Sequence, residues 1–369
     1  MKMNAKSTLQ VGDLVEVKSK AEILATLDKS GCLDGLPFMP EMFEFCGKRF
    51  SVTKRAHKTC DTVFPTRGRR MASAVHLDTR CTGEAHGGCQ AGCLIFWKEA
   101  WLKKVSDGNH LRLETNGHVT TCLGANCKEE DVLESVYDGN NSFKEDRPFV
   151  CQATRLPYAT TRLEWWDLRQ YFEDYSSGNV KMGQILRGAA YSAYYNLSQA
   201  GLGLGPAMRW LHDRLQKTWG GTLWPRSTGK IPLGEPTPQQ NLDLQPGELV
   251  RVKSHEEILK TLTVESKNRG MFWDAEMVPY CGKTYRVLKR VTRIVDEKTG
   301  KLTVMKTPSI ILDTVVCEAR YSGCRMFCPR AIYSYWREIW LERVSEPIAL
   351  KENPDPALER DLCGVVDSL

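Results

Sequence analysis

Short runs of alternating apolar and polar residues indicate strands in both halves of the chain. In residues 14–18, Val15 and Val17 share one face of a predicted strand. Residues 49–54 alternate in the same way, and residues 74–79 (AVHLDT) predict a further strand. Because such alternation leaves one face of a strand apolar, we expect these strands to be half buried.

A helix is predicted directly after the first strand. Ser19 suits its N-cap, and Glu22 stands three residues later, which is the spacing of a capping box. Ile23, Leu24 and Leu27 then form an apolar face at helical spacing. The opening of the chain therefore combines a strand with a short helix.

The same pattern returns at a constant offset of 235 residues. The segment GDLVEVKSKAEILATL, which starts at Gly12, recurs as GELVRVKSHEEILKTL from Gly247. Residues 12–58 align with residues 247–293 without a gap, and 20 of these 47 positions are identical. The chain therefore contains an internal repeat, whose two copies show which residues were kept.

Four cysteines are kept in both copies. They are Cys46, Cys81, Cys89 and Cys93 in the first copy and Cys281, Cys317, Cys324 and Cys328 in the second. Most of the surrounding surface positions differ between the copies, so these cysteines changed less than their neighbours. We interpret each set of four as one unit with a shared chemical role.

The region between the repeats has a different pattern. Residues 106–160 are polar and irregular. Residues 164–175, 180–197 and 206–219 show the periodicity of amphipathic helices, and the last of these opens on a proline, which suits a first helical turn. We therefore expect a helical insert between the two copies.

Each repeat combines a strand that opens on Gly-Asp or Gly-Glu, a long loop, a basic hairpin and short closing strands. This order resembles a small SH3-like barrel. The predicted fold class is α+β, with two homologous small β-barrel repeats flanking a helical insert. The expected parts are barrel repeat 1 (11–105), an irregular and then helical insert (106–219), a Pro/Gly-rich linker (220–246), barrel repeat 2 (247–345) and a disordered tail (346–369).

The composition is typical of a soluble globular protein, with 41% hydrophobic and 26% charged residues. A net charge of +6 permits an anionic partner without requiring one. The N-terminal residues do not resemble a signal peptide, so we expect a cytoplasmic protein. Residues 188–208 carry no charge, but their glycines and polar side chains argue against a transmembrane segment. An interfacial membrane contact through their tyrosines is the alternative.

A reducing cytoplasm favours metal binding over disulfides for the 14 cysteines, with structural disulfides as the alternative. A tetrahedral zinc site takes four ligands, and a close pair such as Cys89 and Cys93 supplies two of them. The Cys-x3-Cys spacing differs from that of the common zinc knuckle, and iron–sulfur clusters accept more varied spacings. We expect Zn²⁺, with an iron–sulfur cluster or metal-free buried cysteines as the alternatives.

A third metal site is possible outside the repeated set, with the first repeat and the insert sharing it. Its candidate ligands are Cys60, Cys122, Cys127 and Cys151. His57 and His86 are substitute ligands, although neither recurs in the second repeat. Free buried cysteines and surface histidines are the alternative interpretation.

Basic residues cluster near the first hairpin, where Trp97 and Trp101 could add stacking to phosphate contacts. These residues are Lys48, Arg49, Lys54, Arg55, Lys58, Arg67, Arg69 and Arg70. They raise the possibility of nucleic-acid binding. A solvated strand face is the alternative.

The motifs HGGCQAGC, FWKEAWL and WWDLRQY resemble those of an uncharacterised bacterial family of cysteine-rich proteins, a resemblance that implies no function. The sequence carries no P-loop, nucleophile elbow or His-Glu-x-x-His motif, and whether it is an enzyme stays open. We expect a non-catalytic metal-binding protein that binds or scaffolds an unknown protein partner. The alternatives are an iron–sulfur protein with redox, sulfur-transfer or biosynthetic activity, and a nucleic-acid-binding protein.

Overall fold

The computed structural model describes residues 9–64, 67–105, 127–139 and 147–344. Helices and strands both occur in these ranges, which confirms the predicted α+β class. Cys122 and the tail predicted to be disordered lie outside the described residues.

Repeat 1 is built from short strands and one short helix. Its elements are β1 (Leu14–Val17), α1 (Lys20–Leu24), β2 (Cys32–Leu33), β3 (Leu36–Pro37), β4 (Arg49–Ser51), β5 (Lys54–Arg55), β6 (Lys58–Cys60), β7 (Gly68–Met71), β8 (Ala74–Arg80), β9 (Leu94–Lys98) and β10 (Leu102–Lys104). Turns of 3₁₀ helix lie at Pro40–Phe45, Glu84–His86 and Glu99–Trp101.

The insert and repeat 2 follow repeat 1 along the chain. The insert contains α2 (Glu129–Glu134), α3 (Gln152–Ala159), β11 (Thr160–Leu163), α4 (Arg169–Ser176), α5 (Met182–Ser198) and α6 (Gly205–Trp219). Repeat 2 contains β12 (Leu249–Val252), α7 (His255–Leu259), β13 (Lys267–Asn268), β14 (Met271–Phe272), β15 (Thr284–Val295), β16 (Leu302–Val316), β17 (Tyr333–Trp336) and β18 (Leu341–Arg343), with 3₁₀ turns at Ala275–Tyr280 and Glu338–Trp340.

The two repeats share one order of strand pairing. In repeat 1, β1 pairs with β10 and β4, and β8 pairs with β5 and β9. In repeat 2 the equivalent strands join into one five-stranded antiparallel sheet in the order β17-β16-β15-β12-β18. A third sheet in repeat 1, β11-β7-β6, takes its edge strand β11 from the insert.

The described strands do not close into the barrels that the repeats predicted. Repeat 1 forms small separate sheets, because the breaks between β4 and β5 and between β5 and β6 divide its hairpin into strands of two or three residues. Repeat 2 keeps an open sheet, with β17 and β18 at its edges. Closure needs every edge strand to be paired, a condition that these described sheets do not meet.

Equivalent aromatic side chains fill the two cores. In repeat 1 the ring of Phe38 meets that of Trp101 at a centroid distance of 5.2 Å, and in repeat 2 Trp273 meets Trp340 at the same distance. The indole N–H of Trp101 donates to the Thr26 hydroxyl, and that of Trp340 donates to the Thr261 hydroxyl. Each threonine lies just after the short helix of its repeat. The repeated sequence therefore specifies one core packing twice.

The predicted capping box is present in both repeats. The backbone N–H of Glu22 donates to the Ser19 hydroxyl, and the Ser19 N–H donates to the Glu22 carboxylate at 2.9 Å. Ser254 and Glu257 repeat this arrangement at the start of α7. The predicted helices of the insert correspond to α4, α5 and α6, whereas α2 and α3 lie in the segment that was predicted to be irregular.

Lys58 joins all three parts of the molecule. It lies in β6, and its buried ammonium donates to the Asp174 carboxylate of α4 at 2.5 Å and to the Met326 carbonyl of repeat 2 at 2.7 Å. His57 approaches the other oxygen of Asp174 at 3.2 Å. Burial lowers the pKa of Lys58, and the Asp174 charge acts in the opposite direction.

Replacing Lys58 by methionine is expected to lower the free energy of unfolding by about 3–5 kcal/mol, because Asp174 is left buried without its partner. The same change in an exposed pair, Arg251→Met opposite Glu342, is expected to cost less than about 1 kcal/mol. Urea unfolding measures both values. Equal effects would contradict the linking role of Lys58, and Lys58→Met combined with Asp174→Leu is expected to recover part of the loss.

His76 makes the stability of repeat 1 depend on acidity. Its ring is fully buried in β8, Nδ1 lies 2.8 Å from the Ile95 carbonyl, and burial lowers its pKa to about 4 from 6.5. The unfolded chain binds a proton at His76 more readily than the folded chain does, so protonation favours unfolding. The free energy of unfolding is therefore highest above pH 6.5 and falls by about 3 kcal/mol as the pH falls to about 4. Urea unfolding at several pH values in this range is expected to show a smaller loss of stability for His76→Gln than for the wild type. The same dependence on pH in both proteins would contradict this role of His76.

Candidate metal centre

The two cysteine loops, residues 81–93 of repeat 1 and residues 317–328 of repeat 2, each lie against a strand of the other copy. In repeat 1 the side-chain oxygen of Gln90 accepts the backbone N–H of Thr292 at 2.6 Å, and the Cys89 sulfur accepts the N–H of Val295 at 3.3 Å. In repeat 2 the Cys328 sulfur accepts the N–H of Cys60 at 3.1 Å. The crossing strands are therefore β15 over the first loop and β6 over the second.

Glu41, Cys81 and His86 gather in repeat 1. The Cys81 thiol donates to Glu41 Oε1 at 2.8 Å, and His86 Nδ1 lies 3.3 Å from the same oxygen. One ligand atom from each residue lies within 4.8 Å of the others, and in the described part of the chain this is the group of three that meets this distance. These three atom types are zinc ligands.

The hydrogen bonds around His86 identify which ring nitrogen can hold a metal. Nε2 lies 3.1 Å from the Val150 carbonyl oxygen, which can only accept, so Nε2 carries the proton. Nδ1 and Glu41 Oε2 are buried and lack a hydrogen-bond partner in the described structure. A histidine that donates through one nitrogen to a backbone carbonyl presents the other to a metal, as ligating histidines commonly do.

Local backbone structure fixes these three side chains. Glu41 lies in the 3₁₀ turn that begins at Pro40, and His86 ends the turn that opens at Gly83. Cys81 follows β8, and its N–H donates to the Cys93 carbonyl at 2.9 Å, which holds the two ends of the cysteine loop together. The ligand atoms therefore come from one strand end and two turns, all of them anchored.

Burial and charge set the protonation of this group. Burial raises the pKa of the Cys81 thiol, and the Glu41 carboxylate raises it further. Burial also raises the pKa of Glu41, but the contacts of its carboxylate with His86 and with the Cys81 thiol outweigh burial and hold that pKa below its usual value. Metal binding would therefore have to displace the Cys81 proton.

Three more thiols lie beside this group. Cys89, Cys93 and Cys151 line a cavity of about 40 Å³ together with Cys81 and His86. Burial raises the pKa of Cys93 to about 12 and also raises that of Cys151. The cavity has room for a single ion, and these three sulfurs form part of its wall.

The equivalent place in repeat 2 keeps the glutamate and cysteine but uses them differently. Glu276 corresponds to Glu41, and its carboxylate accepts the N–H groups of Arg320 at 2.8 Å and Tyr321 at 2.6 Å. Burial raises the pKa of Glu276 to about 7. Burial also raises the pKa of Cys317, the counterpart of Cys81, and Glu276 contributes to that rise.

Arg330 lines two cavities, the one beside Cys81 and Cys93 and the one beside Cys317 and Cys328. Its guanidinium is buried, lies 2.9 Å from the Glu297 carboxylate and is 3.9 Å from the Cys60 sulfur. Burial lowers its pKa, but Glu297 and Cys60 outweigh this effect and raise it above its usual value. The Cys328 hydrogen bond lowers the pKa of Cys60, as does Arg330.

The predicted four-cysteine sets are only partly brought together. Cys81, Cys89 and Cys93 line one cavity, and Cys317 packs with Cys328. Cys46 and Cys281 follow 3₁₀ turns and pack against the hydrophobic cores, and Cys324 is exposed. Within the described ranges neither set of four meets the 4.8 Å criterion for shared ligation, so their joint role stays a prediction.

The predicted third site is divided between three places. Cys60 lies against Cys328 of repeat 2, and Cys151 lines the cavity of the first cysteine loop. Cys127 is near Cys32 at the edge of the core of repeat 1. Of its candidate substitute ligands, His57 faces Asp174 and only His86 faces a thiol group.

Sequence reasoning missed Glu41. The signal was available, since Glu41 and Glu276 are one of the identical pairs in the gap-free alignment of the two repeats. A glutamate is common on protein surfaces, so its recurrence alone did not single it out. Its side chain is only 6% exposed, which is unusual for this residue type.

Five of the eight residues of the basic cluster near the first hairpin are paired with carboxylates of the same chain. Arg49, Arg55, Lys58, Arg69 and Arg70 each pair with a carboxylate. Trp97 and Trp101 are fully buried, so neither can stack on a base. The structure therefore adds no observation that favours nucleic-acid binding.

No family model and no curated protein matches the chain. In the portion of the chain that the structure describes, no helix combines the length and the apolar character needed to cross a bilayer.

Gly83 is expected to be essential to the cysteine loop of repeat 1, in which it lies between Cys81 and Cys93. Its φ is +76°, and an added Cβ would lie 1.9 Å from the Cys89 carbonyl oxygen. Gly47 has a similar φ of +73° but open space around it, so Gly47→Ala is expected to cost only about 1 kcal/mol. Gly83→Ala is expected to cost clearly more in urea unfolding and to weaken zinc binding. Equal losses would contradict the tight loop geometry.

Proposed function

We propose that the protein is a non-catalytic metal-binding protein of the bacterial cytoplasm that binds or scaffolds a protein partner. Zn²⁺ held by Glu41, Cys81 and His86 stabilises the junction between its two repeats. The observation that carries this proposal is the free, buried Nδ1 of His86, which faces Cys81 and Glu41 while Nε2 donates to a carbonyl.

The donor set favours zinc over an iron–sulfur cluster. Zinc accepts thiolate, imidazole and carboxylate ligands in one tetrahedral site, whereas most clusters are held by thiolates. Cys89, Cys93 or Cys151 supplies the fourth ligand, which would close the site as in structural zinc centres.

The position of the site suggests what the metal stabilises. Cys89 and Gln90 contact β15 of repeat 2, and Val150 of the insert accepts the His86 hydrogen bond. A metal that fixes this loop therefore fixes contacts with both other parts of the chain. Binding and folding are coupled at such sites, and chelation is expected to loosen the junction.

The helical insert supports a binding role. Helix α6 has no buried residue, and its Trp210 and Trp219 are 64% and 74% exposed. Large exposed apolar surfaces of this kind mark interaction sites. Because α6 also carries Arg209, Arg214 and Lys217 against a single Asp213, we propose a protein partner with an acidic rim.

An iron–sulfur protein with redox, sulfur-transfer or biosynthetic activity is the second candidate. One observation favours it, since Cys81, Cys89, Cys93 and Cys151 all line the same cavity. Four thiolates around one small space are the usual ligands of a cluster. In that case Glu41 and His86 would be neighbours of the cluster and would not ligate the metal.

Metal content after anaerobic purification separates these candidates. The proposal expects colourless protein, and His86→Ala is expected to lose about one equivalent of zinc per chain, because the imidazole ligand is gone. His212→Ala makes the same chemical change in α6 and is expected to keep the full zinc content. Elemental analysis and the visible spectrum are the measurements.

A brown protein with iron and sulfide would contradict the zinc proposal and support the second candidate. Unchanged zinc in His86→Ala would remove His86 from the site. Removal of zinc by a chelator is also expected to lower the melting temperature of the wild type, and this loss is expected to be small in His86→Ala.

A further inference from the structure

Arg337 is a buried cation that has no carboxylate partner among the described residues. It follows β17, and only 8% of its surface is exposed. Its Nη1 donates to the Thr307 carbonyl at 2.8 Å and its Nη2 donates to the Arg269 carbonyl at 2.9 Å, while Nε has no hydrogen-bond partner in the described structure. A desolvated guanidinium is costly when only neutral groups face it.

Repeat 1 neutralises the equivalent cation. The segment FWKEAWL of repeat 1 corresponds to YWREIWL of repeat 2, so Lys98 is the counterpart of Arg337. The Lys98 ammonium is buried, lies 3.1 Å from the Asp34 carboxylate and donates to the Ala72 carbonyl at 3.1 Å. Repeat 1 therefore provides a carboxylate for the cation at this position.

Repeat 2 has a second cation where repeat 1 has that carboxylate. The gap-free alignment of the two copies places Arg269 at the position of Asp34. Both residues have a left-handed backbone, with φ of +44° at Arg269 and +51° at Asp34, a conformation that aspartate adopts more readily than most side chains. Local backbone preference therefore does not account for the arginine. An ion pair in one copy has become two cations in the other.

The electrostatics of Arg337 reflect this exchange. Burial lowers the pKa of Arg337, and the charge of Arg269 lowers it further. In an ion pair the nearby carboxylate would act in the opposite direction. An anion placed beside both guanidinium groups would relieve the repulsion between them and the cost of burying Arg337.

Both arginines line an open cavity of about 830 Å³, whose wall is formed by the linker and repeat 2. Lys267 and Lys306 add two further cations to the wall, and four threonines also line it. The carboxylates of the wall are Glu235, which is exposed, and Glu265, which lies 3.0 Å from Lys267. Four cations therefore face two carboxylates, one of which is already paired.

A phosphate group fits this set of donors. The planar guanidinium of arginine forms two parallel hydrogen bonds with phosphate oxygens. A phosphate monoester carries about −1.5 to −2 charges at neutral pH, which balances two arginines, whereas one carboxylate balances only one. Threonine hydroxyls of the wall can donate to the remaining oxygens.

We propose that Arg269 and Arg337 form an anion-binding site of repeat 2, which takes the phosphate group of a small molecule. The bound anion supplies the negative charge that Asp34 supplies in repeat 1. The cavity is of a size that also accommodates the organic part of a phosphate monoester. None of the candidate zinc ligands takes part, so the site is independent of the metal centre.

Arg269→Asp tests the site because it gives repeat 2 the carboxylate that repeat 1 has. The new carboxylate is expected to pair with Arg337, so the affinity for inorganic phosphate is expected to fall at least about tenfold. Isothermal titration calorimetry of the full chain at fixed ionic strength measures this affinity. Arg251→Asp makes the same change of charge elsewhere in repeat 2 and is expected to bind phosphate as the wild type does.

Thermal melting separates loss of the site from loss of the fold. Phosphate is expected to raise the melting temperature of the wild type relative to chloride at equal ionic strength, because it binds only the folded chain. Arg269→Asp is expected to lack this rise and to melt in chloride at the wild-type temperature or above it, since Arg337 gains an ion pair. Zinc content is expected to be unchanged in Arg269→Asp.

Two results would overturn the proposal. One is a wild type that phosphate neither binds nor stabilises relative to chloride, and the other is unchanged phosphate affinity in Arg269→Asp. Titration with glycerol 3-phosphate distinguishes the sources of the phosphate group in a protein that does bind it. Tighter binding than that of inorganic phosphate identifies a monoester as the ligand, and equal or weaker binding identifies free phosphate.

Discussion

The arrangement of repeat 1, the insert and repeat 2 depends on the contacts of the buried Lys58 ammonium. It is held by a carboxylate of the insert and a carbonyl of repeat 2, while its own strand belongs to repeat 1. Desolvating such a charge is costly and is offset only when the partners are well placed. The position of β6 against repeat 2 is therefore narrowly defined, and Cys60, two residues further on, is carried with it to Cys328.

Much of the local structure could be predicted from the sequence. The capping box at Ser19 and Glu22, the helices α4 to α6 and the aromatic pairs of the two cores follow from short-range patterns and from the repeat. Helix α3 was missed because it is short and contains Pro157, a residue that ordinarily ends a helix. Barrel closure depends on pairing between distant edges, which a strand pattern does not contain.

The grouping of ligands was harder to predict for a physical reason. Aligning two copies identifies equivalent positions, but it does not say which copy a side chain faces once both are folded. Cys60 was grouped with the insert because it has no equivalent in the second copy, whereas its strand crosses to repeat 2. Glu41 recurs in both copies, and only its burial beside Cys81 and His86 reveals its role.

The reciprocal crossing of β6 and β15 has a consequence for how such a chain could arise. Each copy offers a strand to the cysteine loop of the other and receives one in return, which is the self-complementary contact of a two-fold symmetric dimer. A single ancestral copy would have met this requirement by homodimerisation. Within one chain that contains both copies, the two contacts need not be identical, and they differ at Cys60 and Val295.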